Sequence, residues 1–151
     1  MTAAPPAGFR QVGRYCGAFI DHCGPVFGRL EEGGVVLGFR VLPHHTNPLD
    51  CAHGGMLASF ADMVLACGAM YRPEGWGRIL PTISLQLDFL APAPRGAWVE
   101  GRCEVLKATG SMVFTQCVVR ADGQAAMRAS AVFKLGPAPQ DDRPWDPLEL
   151  L

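Results

Sequence analysis

The stretch His44-His45-Thr46-Asn47-Pro48-Leu49-Asp50-Cys51-Ala52-His53-Gly54-Gly55 gathers much of the polar chemistry of this 151-residue chain. It runs straight into GGMLASFADMVLACGAMY, residues 54–71, which reads as one apolar helix of about 27 Å at the usual rise. A helix start presents backbone N–H groups without intrahelical partners and a partial positive charge, so it suits a developing oxyanion. Gly54 and Gly55 lack a Cβ and let a ligand approach that backbone closely. The same two glycines also suit a helix entered through flexible residues with no chemical role, and their spacing alone does not separate the two readings.

Asp62 sharpens the choice. It stands mid-helix, nine residues after His53, and its neighbours one turn away are Ala58, Ser59, Leu65 and Ala66, none of them basic. A carboxylate in so apolar a helix is costly to bury unless a second element supplies hydrogen bonds or charge. A carboxylate kept there for a function is one reading; an Asp at a water-filled edge, or paired with a distant Arg, is the other. His53 serves either to orient a substrate or to organise the loop. His22, His44, His45, Cys51 and His53 match no zinc-ligand spacing, so no metal site is expected. No GxSxG elbow, P-loop or dinucleotide fingerprint is present, and no cysteine lies in a nucleophile motif.

The elements that must hold these residues follow from patterning. Segments 26–32 and 35–42 meet at Gly33-Gly34, a tight-turn signal for a first hairpin. After the long helix, segments 80–90, 97–106, 111–120 and 126–135 are rich in β-branched and aromatic residues and separated by turn chemistry, which predicts four strands in an antiparallel meander. Strand, strand, buried helix and four strands together predict an α+β fold, one curved sheet wrapped around a central helix. Residues 1–24 form a lead, with a short helix expected over 9–23 that puts Phe9, Val12, Cys16 and Phe19 on one face. Residues 25–136 form the domain. Residues 137–151 form an extended Pro-rich tail, on which Trp145 is a candidate to dock.

Composition narrows the class. Hydrophobic residues make up 49% and charged residues 18%, which excludes intrinsic disorder and fits one domain with one core. The net charge of −1, without a basic run, argues against a nucleic-acid partner. The 54–71 run is at the short limit for a membrane span and carries Asp62, so no membrane partner is expected. The N-terminus does not read as a secretory signal, and the six scattered cysteines read as reduced, mostly buried thiols, so a cytoplasmic location is expected.

With Asn47 six residues before His53-Gly54-Gly55, Asp62 nine after the His and Thr82 at the start of the next strand, the chain resembles the PaaI-type acyl-CoA thioesterases of the hotdog-fold superfamily. The resemblance spans roughly residues 25–135 and includes the FLAPA segment at 89–93. It implies a hotdog fold, a homodimer or homotetramer with active sites at the dimer interface, an acyl-CoA substrate and no cofactor. It also implies roles: Asp62 as general base or nucleophile, from the subunit opposite the oxyanion loop; the Gly54 N–H as the donor that polarises the thioester carbonyl; Asn47 positioning thioester or water; Thr82 holding the water or the carboxylate; and His53 as a motif member. Gly55 and the Lys107, Gly110 and Ser111 segment are implied substrate contacts, with Arg95 or Arg128 as further phosphate partners. The chain departs from the pattern at Asp50, where the family commonly has glycine, which puts an extra carboxylate near the loop.

Two alternatives stand beside this reading. An acyl-thioester dehydratase or hydratase would use a histidine and a carboxylate; Asn47-Pro48-Leu49 faintly matches its motif, but that motif expects His at Asp50 and Asp at His45. A non-catalytic module that grips acyl-CoA or a partner protein would use the same cleft without turnover.

Overall fold

The computed structural model describes residues 4–13, 16–75, 77–138, 146 and 148–150. Their elements run β1 (Arg10–Gln11), α1 (Ala18–Cys23), β2 (Phe27–Glu31), β3 (Gly34–Arg40), a 3-10 turn (Pro43–His45), α2 (Gly54–Met70), β4 (Thr82–Phe89), β5 (Trp98–Arg102), β6 (Glu104–Ala108), β7 (Met112–Ala121) and β8 (Gln124–Lys134). All strand pairs are antiparallel, in the order β1-β2-β3-β5-β7-β8-β4, with β6 continuing β5 alongside β7.

Helix α2 forms because 17 residues without an internal proline favour helix strongly, and it stops at Tyr71-Arg72 because Pro73 disfavours helical geometry in the residue before it. His53 caps its start, its ring Nδ1 accepting the Gly55 N–H. The sheet curls round α2, which touches β3 through β8. Leu57, Phe60, Ala61, Val64, Leu65 and Gly68 face the strands and are buried. Phe60 meets Phe39 edge-on at 4.9 Å between ring centres. Each such fully buried large side chain contributes about 1.5–3 kcal/mol. Gly68 is bare where the helix passes closest to the sheet, since a Cβ there would collide with Cys103.

Three expected hairpins form, β2–β3, β6–β7 and β7–β8. Gly33 at φ 75° supplies the left-handed residue of the β2–β3 turn. Asp122 and Gly123, at φ 45° and 84°, close β7–β8 with both central residues left-handed, the geometry that matches strand twist. The meander differs from expectation. Strand β4 does not pair with β5; it crosses to the far side of the sheet and pairs with β8, while β5 sits between β3 and β7. The link from Leu90 to Ala97 holds two prolines and cannot make a tight hairpin; it docks instead under the helix entry, where Ala52 N–H donates to Ala93 O at 2.8 Å. Among the described residues, strand β4 is thereby left as a free edge of the sheet, with Ile83, Phe89 and Leu90 each more than half exposed.

The lead also differs. The 9–23 helix is confined to Ala18–Cys23; Gly13 and Gly17 interrupt the pattern, Phe9 is buried against Trp98 on the sheet's outer face, and Phe19 is 63% exposed. In the tail, Leu148 and Leu150 are buried in the core. Trp145 lies outside the described residues. All six cysteines are free, but only Cys117 is fully buried; the other five are half-buried.

Candidate active site

The loop before α2 is tied by its own backbone and by Asn47. Asn47 N–H donates to Cys51 O at 2.9 Å, Asp50 N–H to Asn47 O at 3.0 Å, and His53 N–H to His45 O at 2.8 Å. The Asn47 Oδ1 accepts from Leu49 N–H at 2.9 Å. One end of the carboxamide therefore shapes the loop, leaving its NH₂ as a donor on a cleft of about 360 Å³ shared with Gly54, Phe89 and Pro92. Asp50 adopts φ 58°, the left-handed region glycine favours. Its carboxylate does not stand free: it pairs with Arg95 at 3.1 Å.

At the helix start, Met56 and Leu57 N–H groups donate to His53 O, and Gly55 N–H donates to the His53 ring. The Gly54 N–H has no hydrogen-bond partner among the described residues. One uncommitted donor at the positive end of a 17-residue helix, on a cleft, can polarise a carbonyl. Gly55, expected to contact substrate, has its N–H committed to His53 instead.

Asp62 is half-buried, and Thr82 Oγ1 donates to its Oδ1 at 2.7 Å. The hydrogen bond needed for a carboxylate in an apolar helix thus comes from the first residue of β4, and the second carboxylate oxygen remains open to a cleft of about 700 Å³. Asp62 lies eight residues after Gly54, about 12 Å along the helix axis. In one chain the two line different clefts and cannot reach one carbonyl together.

The 107–111 segment forms the β6–β7 hairpin, held by Thr109, whose hydroxyl accepts from Met112 N–H at 3.0 Å. Lys107, Gly110 and Ser111 are exposed. The register Thr82–Phe133–Val113–Ala108 places this hairpin three strands from Thr82, about 14 Å across the sheet and away from Gly54. Arg128 is paired with Asp88 at 2.6 Å.

His45 is 2% exposed, with Nδ1 accepting from Leu42 N–H at 3.0 Å and Nε2 donating to Cys23 O at 2.6 Å. Burial, its largest influence, pushes its pKa below the usual histidine value. With both ring nitrogens bonded within the fold, His45 is turned inward and offers no free nitrogen to a ligand. His22, His44, His45 and His53 all border one cleft, but no group of described residues is arranged to hold a metal ion. Sequence reasoning missed two neighbours of the site: Phe89, whose ring lies against Gly54, and Phe19 of α1, which walls the Asp62 cleft. The FLAPA segment signalled the first; nothing local signalled the second.

A family model described as "Thioesterase superfamily" matches residues 50–127, just over half of the chain. The chain belongs to the thioesterase superfamily. The superfamily match takes in Gly54, Asp62, Thr82 and the 107–111 hairpin and begins shortly after Asn47. A Pseudomonas aeruginosa protein, PA0474, whose name assigns it an esterase activity by inference, is 30% identical over 131 residues, covering 86% of this chain and 96% of that one. The Xenopus laevis protein named acyl-coenzyme A thioesterase THEM4 is 32% identical over 119 residues, 78% of this chain; the match spans about half, 51%, of that relative. A variant of the phenylacetic acid degradation protein PaaI from Thermus thermophilus shares the fold, with a TM-score of 0.68 at 22% identity over 78% of this chain and 98% of that one. This superfamily member thus has the hotdog architecture, an antiparallel sheet around one long helix. Among its described residues no helix is long and apolar enough to cross a membrane.

Proposed function

We propose that this thioesterase hydrolyses acyl-CoA thioesters to free acid and CoA, in a homodimer whose two sites each draw on both subunits. One subunit supplies Asp62, oriented by Thr82; the other supplies the Gly54 N–H and the Asn47 amide. The observation that carries this reading is the position of β4. Its first residue holds Asp62, its last lies against Gly54, and its outer edge is unpaired. Antiparallel pairing of β4 with its own copy about the middle of the strand sets the Thr82 end of one against the Phe89 end of the other. The same two-fold operation carries each Asp62 toward the Gly54 of the partner subunit. It also covers the exposed Ile83 and Phe89.

The chemistry needs little more. A thioester carbonyl is a good electrophile, and a thiolate, the conjugate base of an acid far stronger than an alcohol, is a good leaving group. Asp62 either takes a proton from the attacking water or attacks the carbonyl itself, forming a mixed anhydride that water then hydrolyses to the free acid and Asp62. The tetrahedral oxyanion accepts from Gly54 N–H, and its collapse expels CoA. No cofactor enters any step. The name of the THEM4 relative supports CoA as the thiol carrier.

Replacing Asp62 with Asn keeps the shape and removes the base. Turnover of acyl-CoA, followed by released thiol, is expected to fall at least about a hundredfold. Binding of an S-alkyl CoA thioether, which cannot be hydrolysed, is expected to persist. Unchanged turnover in the variant would overturn the assignment, and a wild-type chain that binds the thioether but hydrolyses no acyl-CoA would make the protein a binding module.

A further inference from the structure

On the reading that Asp62 serves a thioester, the cleft beside it also defines what the acyl group is. Asp62, Ala66 and Met70 recur every four residues and form one open stripe along α2. Facing them are Cys16, Phe19 and Ile20 from the lead and Ile79 and Leu85 from the far side. Among the described residues, the walls beyond Asp62 toward Met70 carry no charged group that would pair a carboxylate or a phosphate. In the other direction the character reverses. At Ser59 and Phe19 the groove opens into the second cleft, of about 930 Å³, bordered by the four histidines. Phe19 at that junction and Ile79 farther along the groove stand 63% and 65% exposed.

We infer that the groove from Asp62 to Met70 is the acyl-chain channel, that it takes straight aliphatic acyl groups of about ten carbons, and that Ala66 and Met70 set the limit. The length follows from the helix. Eight residues from Asp62 to Met70 span about 12 Å. An extended chain advances about 1.2 Å per bond, since three backbone bonds cover about 3.3–3.6 Å, so about ten bonds fit. The polarity change at Ser59 fixes the direction: the apolar tail runs toward Met70, and the polar pantetheine side leaves by the histidine end. Ser59 does not contradict this, because its hydroxyl already donates to Gly55 O at 2.9 Å. A shape that stops at Met70 rewards each methylene up to the end of the channel and none beyond it.

The test is hydrolysis of a straight-chain series from acetyl- to palmitoyl-CoA. Burying one methylene is worth about 0.8 kcal/mol, so kcat/KM is expected to rise by up to about fourfold per carbon and to level or fall beyond about ten. Ala66→Phe fills the channel and is expected to lower the decanoyl-to-butyryl ratio of kcat/KM at least tenfold. Met70→Ala opens its end and moves the break to longer chains, which keeps the test decisive if the first variant misfolds. A flat profile, or a break that neither variant moves, overturns the channel and shows the groove covered by the second subunit. Affinity for S-alkyl CoA thioethers of four to fourteen carbons, measured by calorimetry, separates the two proposals. Length-dependent binding without any hydrolysis upholds the channel and sinks the hydrolase, whereas hydrolysis with length-independent binding does the reverse.

Discussion

Asp62 depends on a single hydroxyl. Thr82 donates to one carboxylate oxygen, and the geometry leaves the other for water or the carbonyl. Thr82→Val preserves volume and branching but deletes the donor. A hydrogen bond to a charged group is worth about 1.5–3 kcal/mol, so kcat is expected to fall between about tenfold and a hundredfold. Thr82→Ser restores the hydroxyl and should recover most of the loss, with KM little changed in both; equal kcat in Val and wild type would show the contact to be incidental. At this scale much was legible before any coordinates: Asn47, His53, Gly54, Asp62 and Thr82 stand out by type and spacing. What could not be read was commitment. Whether an N–H is free or already capped depends on ring orientation, and so Gly54 keeps its donor while Gly55 spends its own on His53. Asp50 likewise reads as a stray charge until Arg95 is seen beside it.

At the scale of elements, the lead is held to the loop before α2 by histidines. His45 and His44 bond the carbonyls of Cys23 and Gly24, fastening the end of α1, which walls the Asp62 cleft, to the turn before α2. Because burial lowers the His45 pKa in the fold, the unfolded chain binds its proton first as pH falls. This contribution to stability is complete above about pH 6.5 and is lost as pH drops from there through the folded value. Urea unfolding of wild type and His45→Gln from pH 7.5 to 5 should therefore show a difference that narrows on acidification; a difference constant across that range would contradict the assignment. The hairpins and α2 were legible because turn glycines and apolar runs are local signals. The crossing of β4 was not, because neighbours in sequence usually pair, and what prevents it here is the proline-bearing link that docks on Ala52.

At the scale of the whole molecule, a single chain holds both halves of the proposed site, Asp62 and the Gly54 N–H, but keeps them about 12 Å apart along one helix. In the proposed dimer the edge of β4 brings those halves together between copies, which makes assembly and catalysis one question. Two variants pose it. Asp62→Asn removes the base; Gly54→Pro removes the oxyanion N–H at the first helical position, where proline is tolerated and where His53, at φ −61° and ψ 138°, already has the backbone a following proline requires. Each homodimer is expected to be nearly inactive. Mixing them under conditions that allow subunit exchange gives heterodimers in which one site carries both lesions and the other carries neither. Activity should then return to about a quarter of wild type, half the dimers being mixed and one of their two sites intact. If exchange is verified by mass and activity stays at the level of the separate variants, base and oxyanion donor do not meet across subunits, and the account is wrong.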